Sequence, residues 1–327
     1  KKFRMAAANP PRISVLIPTY NYARFLPEAI ESVLAQDFRD FELLIVDDCS
    51  ADNTAEVVRP FCARDARVRF TVNGANLGMV HNWNHCLEQA RGEYIKFLFG
   101  DDKLWHPQAL GKMAALMDAH PSATLATAAR AVLDEHSRVV DIWRPLAEGR
   151  HPGRKIIVSC LTEDANLVGE PSAVMFRKKD ARRGFDPKYR QIVDIEMWFH
   201  LLEKGDLACA REPLCGFRQH ARQQSAFNDA TGLAGKERTL FFAGYATRPW
   251  LPRRICFFPL FALRRARQKR PGVADPEMFE QERHLISKLG RGWYLFYLMF
   301  YKLANPFRNL NRSIRKRLIR RNGVPPR

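Results

Sequence analysis

The sequence has no apolar run long enough to cross a bilayer. A spanning helix needs about 20 consecutive apolar residues, and the longest aromatic and aliphatic stretch, Trp293–Tyr301, has nine. The basic N-terminus, Lys1–Arg12, is not followed by a long apolar run, so it reads as neither a signal peptide nor an anchor. The seven cysteines form no C-x-x-C pair, and their number is odd. That excludes an obvious zinc site or disulfide framework and predicts reduced thiols in a cytosolic setting. No glycine-rich phosphate loop follows the first predicted strand, which argues against a nucleotidyltransferase. There is no internal repeat, so solenoids and propellers are excluded.

Acidic residues are scarce in one region only. Residues 248–327 hold 20 Lys+Arg against four Asp+Glu, whereas the other 247 residues hold 33 against 31. The cationic segment seeks an anionic partner, either nucleic acid or an anionic membrane surface. Its apolar and aromatic stretches, Trp250–Leu263 and Trp293–Tyr301, alternate with basic blocks such as Arg264–Arg270. That pattern fits helices lying in the interface of an anionic bilayer better than phosphate contact alone.

The first hundred residues alternate between two periodicities. Ile13–Pro18, Phe41–Val46, Val68–Val72 and Tyr94–Phe99 are apolar runs of strand length. Between them, Phe25–Gln36, Thr54–Ala63 and Gly78–Ala90 carry helical spacing. Strands apolar on both faces and separated by helices predict an α/β domain with a parallel sheet covered on both sides. Pro107–Ala119 is a further predicted helix, residues 123–160 read as weaker strands with polar turns, and Ser172–Phe176 reads as a strand. A helix is predicted over Ile195–Lys204, then a short strand over Leu207–Arg211, with Pro213–Phe217 leading into a polar loop at Arg218–Gln224.

In such sheets ligands bind beyond the carboxyl ends of the strands. Two of the strands end in an Asp pair there, Asp47-Asp48 and Asp101-Asp102. Magnesium and manganese take hard oxygen ligands, usually one or two carboxylates plus phosphate oxygens. Each pair has a plain alternative as the cap of a following helix, where Asp is favoured. Asp194 equally suits an N-cap, and Glu196 suits the first turn of that helix through the macrodipole. His81 and His85 lie four apart on one helix, but no carboxylate follows at ligand spacing.

Ile13–Asn21 (ISVLIPTYN), Phe41–Ser50 (FELLIVDDCS), Asn76-Leu77-Gly78 and Gly92–Asp102 (GEYIKFLFGDD) occur in this order. With Gly169–Arg177 (GEPSAVMFR), Asp194–Trp198 (DIEMW) and Phe217–Ser225 (FRQHARQQS), the set resembles the inverting family 2 glycosyltransferases of the GT-A fold, over roughly residues 12–225. The resemblance implies a nucleoside-diphosphate sugar donor, most commonly a UDP-sugar, and Mn2+ or Mg2+ as cofactor. It implies that Pro18, Thr19 and Tyr20 line the base and ribose pocket, that Asp48 accepts from the base, and that Asp101 contacts the ribose. It places Asp102 and His220 at the metal, Arg218 beside the diphosphate, and Glu170 and Glu196 on the acceptor side. Asp194 resembles the general base. The sequence departs from the literal Asp-x-Asp form, because Gly100 stands at its first position.

The expected organisation is a GT-A domain over residues 1–247, with a nucleotide half at about 12–102 and an acceptor half at about 103–247. A basic helical tail over 248–327 follows it. The expected activity is that of an inverting hexosyltransferase acting on a glycan or lipid-linked acceptor in bacterial polysaccharide or lipopolysaccharide assembly. The tail would hold it peripherally on the inner face of the cell membrane, with no nucleic-acid partner. The competing readings are a polyprenyl-phosphate glycosyltransferase and, from a different class, a basic nucleic-acid-binding protein.

Overall fold

The structure, a computed structural model, describes residues 10–144, 146–220, 223, 233–268 and 275–299. Strands β1 (Ile13–Thr19), β2 (Phe41–Asp47), β3 (Val68–Val72) and β4 (Tyr94–Phe97) alternate with helices α1 (Leu26–Leu34), α2 (Thr54–Arg64) and α3 (Met79–Gln89). β1 and β2 are buried at every position, which is why both faces read as apolar. β1 runs parallel to β2 and β4, and β2 parallel to β3.

Further along come β5 (Lys103–Leu104), α4 (Ala109–Ala119), β6 (Ala123–Leu133), β7 (Val139–Trp143) and β8 (Gly149–His151). They are followed by α5 (Gly153–Glu163), β9 (Val174–Arg177), α6 (Val193–Leu202) and β10 (Asp206–Arg218). The sheet order is β3-β2-β1-β4-β9-β6-β10-β5, with β7 on β6 and β8 on β10. β9 is antiparallel to both β4 and β6, so the sheet is mixed rather than wholly parallel.

Two sequence readings need correction. Residues 123–133 are not a weak strand: β6 is buried along its whole length in the middle of the sheet. Its alanines carry little apolar signal, yet small side chains suit a strand covered by helices on both sides. Arg218 does not open a polar loop but ends the long strand β10. β10 absorbs Pro213 through register shifts against β6, the usual way a strand accommodates a missing N–H donor.

Helices cover both faces. Residues of α1, α2 and α4 build one apolar core with β1 and β2. The other core joins α3, α5 and α6 to α7 (Leu233–Ala246) and to two helices of the basic segment, α8 (Phe257–Gln268) and α9 (Pro276–Leu289). Leu251, Ile255, Cys256, Leu260, Leu263, Leu285 and Leu289 are buried in that same core. The expected break at 247/248 therefore does not separate two cores, and the 250–263 stretch faces protein. A last helix, α10, occupies residues 291–299. Among the described residues no helix is long and apolar enough to cross a membrane.

Candidate active site

A cavity of about 760 Å³ opens beyond the carboxyl ends of β1, β2 and β4. Pro18, Thr19 and Tyr20 line it from the end of β1, Asp48 from β2, Asp101 from β4 and His220 from just past β10. The turns after β1 and β2 are held in the left-handed region, with φ of 59° at Asn21 and 63° at Cys49. Asn21 Oδ1 accepts from Ala51 N (2.9 Å) and Ser50 Oγ from Asn21 N (2.8 Å), so the two turns brace each other.

Asp48 organises the next wall. Its carboxylate accepts from Asn73 Nδ2 (2.9 Å), Leu77 N (2.8 Å) and Gly78 N (2.9 Å), while Asn76 donates to its carbonyl (3.0 Å). Gly78 has φ of 83°, which a side chain would strain, and it turns the chain into α3. Asp48 thus pins the loop before α3, with acceptor capacity left toward the cavity. Asn73 and Asn82, which bond each other at 3.0 Å, complete this buried polar cluster and carried no sequence signal.

The second Asp pair is split by depth. Asp101 lines the cavity, and its Oδ2 meets His220 Nε2 at 3.1 Å. Phe25 packs on the His220 ring, with centroids 4.9 Å apart. Asp102 stands behind, almost wholly buried. Its Oδ1 accepts from Arg218 N (2.8 Å), and its Oδ2 has no hydrogen-bond partner. Burial, reinforced by the Asp101 carboxylate, holds the Asp102 carboxyl well above the usual carboxylate range, against the pull of the nearby Ser172 hydroxyl. An orphaned buried oxygen beside a second carboxylate is a suitable donor set for a hard cation. Among the described residues no three His, Cys, Asp or Glu side chains converge as a ready-made cage. Magnesium-type sites seldom have one, since substrate phosphates complete the shell.

Arg218 is placed differently from the expectation that it flanks a diphosphate. Its guanidinium is buried and donates to Asp101 O (2.7 Å), Ser137 Oγ (2.8 Å) and Glu28 Oε2 (2.6 Å). It buttresses the Asp pair from behind, and Arg24 and His220 are the cationic side-chain types lining the cavity among the described residues.

Asp194 sits in the first turn of α6, two residues past the N-cap position Ile192, so it is not the cap. Its carboxylate accepts from Asn166 Nδ2 (3.0 Å) and Ile195 N (2.8 Å). Burial, with the Glu170 carboxylate nearby, pushes Asp194 up to about 7 despite these donors. Glu170 pairs with the buried Arg130 at 2.5 Å and acts electrostatically on both Asp102 and Asp194. It therefore links the two carboxylate sites. Glu196 is turned away: its two oxygens meet Arg183 Nη2 at 2.8 and 2.7 Å. It is excluded from the cluster because neighbours two apart on a helix point in different directions.

A buried ammonium joins β4 to the turn before β9. Lys96 of β4 is fully buried and donates to Phe97 O (3.1 Å) and to the Ser172 carbonyl. Desolvation pushes it down to about 8. The Ser172 hydroxyl in turn accepts from Phe99 N at 3.0 Å. Glu170 and Ser172 thereby stay registered with the Asp turn. A second cavity of about 600 Å³, near Asn84 and Lys179, is rich in cations. Several are already engaged, since Lys178 holds the Ala90 carbonyl and Arg183 holds Glu196.

Residues 14–184 match the model of glycosyl transferase family 2. The chain belongs to that family. It is 34% identical over 211 residues to MT1568 of Mycobacterium tuberculosis (strain CDC 1551 / Oshkosh), covering 61% of this chain and 65% of that one. It is 28% identical over 204 residues to TuaG of Bacillus subtilis (strain 168), a protein named for teichuronic acid biosynthesis, covering 60% and 73%. The chain thus spans about two thirds of the length of such relatives. Its fold matches TarS 1-349 of S. aureus, solved with UDP-GlcNAc, at a TM-score of 0.61 and 18% identity, over 85% of this chain and 80% of that one. The α/β fold is that of GT-A glycosyltransferases, and the chain is a glycosyltransferase.

Proposed function

We propose that this glycosyltransferase transfers a sugar, with inversion, from a nucleoside diphosphate to a hydroxyl of a lipid-linked glycan during assembly of a bacterial surface polysaccharide. The observation that carries the reading is the pairing of two sites: the cavity edged by Asp48, Asp101 and His220, and Asp194 pushed up to about 7 beside Glu170. UDP is the favoured nucleotide, since the fold neighbour was solved with UDP-GlcNAc.

Inverting transfer needs one base and no acid. The acceptor hydroxyl attacks the anomeric carbon, and its proton passes to Asp194 as the carbon–oxygen bond to the diphosphate breaks. A base with a pKa near the working pH suits that transfer. Pro18, Thr19 and Tyr20 would hold base and ribose, with Asp48 shaping that wall and accepting from the base, and Asp101 at the ribose. Asp102, through its unpartnered Oδ2, and His220 would hold Mn2+ or Mg2+. When bound, the ion supplies charge to offset that on the leaving diphosphate. Arg218 contributes from behind by fixing the Asp turn. Glu170, held by Arg130, lines the acceptor side. A lipid-linked acceptor agrees with the basic, apolar C-terminal segment, which would keep the enzyme on the inner face of the membrane.

The deciding measurement is binding and hydrolysis of a panel of nucleotide sugars with and without Mn2+, on the wild type and on Asp102→Ala. Turnover of one donor, dependent on metal and lost in the variant, supports the reading. A folded protein that binds no nucleotide or nucleotide sugar sinks it.

A further inference from the structure

Helix α10 is apolar on the wrong side for a water-facing helix. Tyr294 and Tyr297 turn inward. Tyr294 takes a hydrogen bond from Arg264 Nη2 (2.7 Å), and the Tyr297 ring stacks on Phe257 with centroids 5.8 Å apart. The outward residues are Trp293, Leu295, Phe296, Leu298 and Met299, exposed by 50, 56, 45, 37 and 71%. A surface helix of a globular protein shows polar residues on that face, whereas this one shows a contiguous ridge of large apolar side chains. Such ridges mark interaction sites.

The chemistry beside the ridge selects its partner. Arg291 precedes it, and residues 300–327, which follow it directly, hold nine Lys+Arg and no Asp or Glu. A protein surface complementary to this region would need to be apolar and densely acidic together. An anionic bilayer offers both, with headgroups for the cations and acyl chains for Trp293, Phe296 and Met299. The other apolar stretch of the basic segment, 250–263, is unavailable because Leu251, Ile255, Leu260 and Leu263 are buried in the core.

We propose that the outward ridge of α10 is the membrane-docking surface of this enzyme and that its occupant is an anionic lipid bilayer. This deepens, and rests on, the membrane-bound reading above, but it concerns binding alone. The ridge enters the interface as an in-plane wedge, and the basic residues after it draw the protein to negative lipid.

The full chain is sedimented with vesicles of phosphatidylcholine containing about one third phosphatidylglycerol, and with pure phosphatidylcholine. The wild type is expected to bind the anionic vesicles, less so at high salt, and the neutral ones weakly. The triple variant Trp293→Ser, Phe296→Ser, Met299→Ser is expected to lose about tenfold in partition or more. Trp293 and Phe296 also touch Phe257 (5.9 and 6.3 Å), so if the triple variant melts early, Leu295→Ser, Met299→Ser decides instead. Equal binding by wild type and the deciding variant overturns the proposal, as does absence of wild-type binding. A wild-type dimer that the variant converts to monomer also overturns it, by showing that a second copy covers the ridge. Because vesicle binding needs no donor or acceptor, its failure leaves the transferase reading standing.

Discussion

Two pairs of carboxylates, Glu42 with Asp48 and Asp102 with Asp194, are treated in opposite ways. Glu42 and Asp48 are buried and well supplied with donors. Glu42 takes bonds from Ser14 Oγ, Arg69 and Arg91, which together hold it below the usual carboxylate range against burial. Asp48 takes three bonds, two of them from backbone N–H groups. Asp102, by contrast, keeps one oxygen without a partner, and Asp194 feels the Glu170 carboxylate; both are raised. A buried charge that is fully hydrogen-bonded holds the fold. One that is left under-supplied is poised to take a cation or a proton.

The sharpest way to break this contrast is Asp194→Asn. It keeps size and most hydrogen bonding but cannot take a proton, so kcat should fall about 10³-fold while nucleotide affinity stays unchanged. A comparable loss in nucleotide affinity would make Asp194 another structural carboxylate. Next in size, Arg218→Met takes a buried donor from the Asp101 carbonyl and one of three donors from Glu28, which keeps Lys103 and Ser137. It should cost about 2 kcal/mol of stability, read by denaturant unfolding. Asp48→Ala should release the 76–78 loop and weaken UDP binding about tenfold by calorimetry, with little effect on kcat at saturation. Unchanged affinity would remove Asp48 from the nucleotide wall.

The smallest effect concerns pH. The Asp194 carboxyl titrates near 7 when folded, against 3.8 for an ordinary Asp, because of burial and then Glu170. Activity should therefore rise through about pH 7, and Glu170→Gln should move that limb down by about half a unit. The stability sign is the reverse of a salt-bridged Asp. Between those two values the native state binds more protons than the unfolded chain, so this group makes stability fall as pH rises. Asp194→Asn should flatten that slope.

Much of the chain up to Asp102 was readable because its signals are local. β1, β2 and β4 are buried at every position, so their sequences are largely apolar runs, and the Asp pairs follow β2 and β4. The residues beyond Asp102 were harder to read. β6 has five alanines among its eleven residues, with little apolar contrast, and β10 contains a proline taken up by register shifts against β6.

The sequence by itself determined the alternation of strands and helices and the turns that carry Asp48 and Asp101, which rest on residues close together in the chain, and the family, which rests on short local blocks in a fixed order. The tertiary structure alone decided that the Arg218 guanidinium is buried against Glu28 and the Asp101 carbonyl, that Glu170 acts on both Asp102 and Asp194, and that Lys96 ties β4 to the Ser172 carbonyl. It also decided that the 250–263 stretch is core while the ridge of α10 is surface. Those outcomes depend on which group meets which partner far along the chain, across 190 residues for Arg218 and Glu28 and 76 for Lys96 and Ser172, and no local pattern encodes that distance.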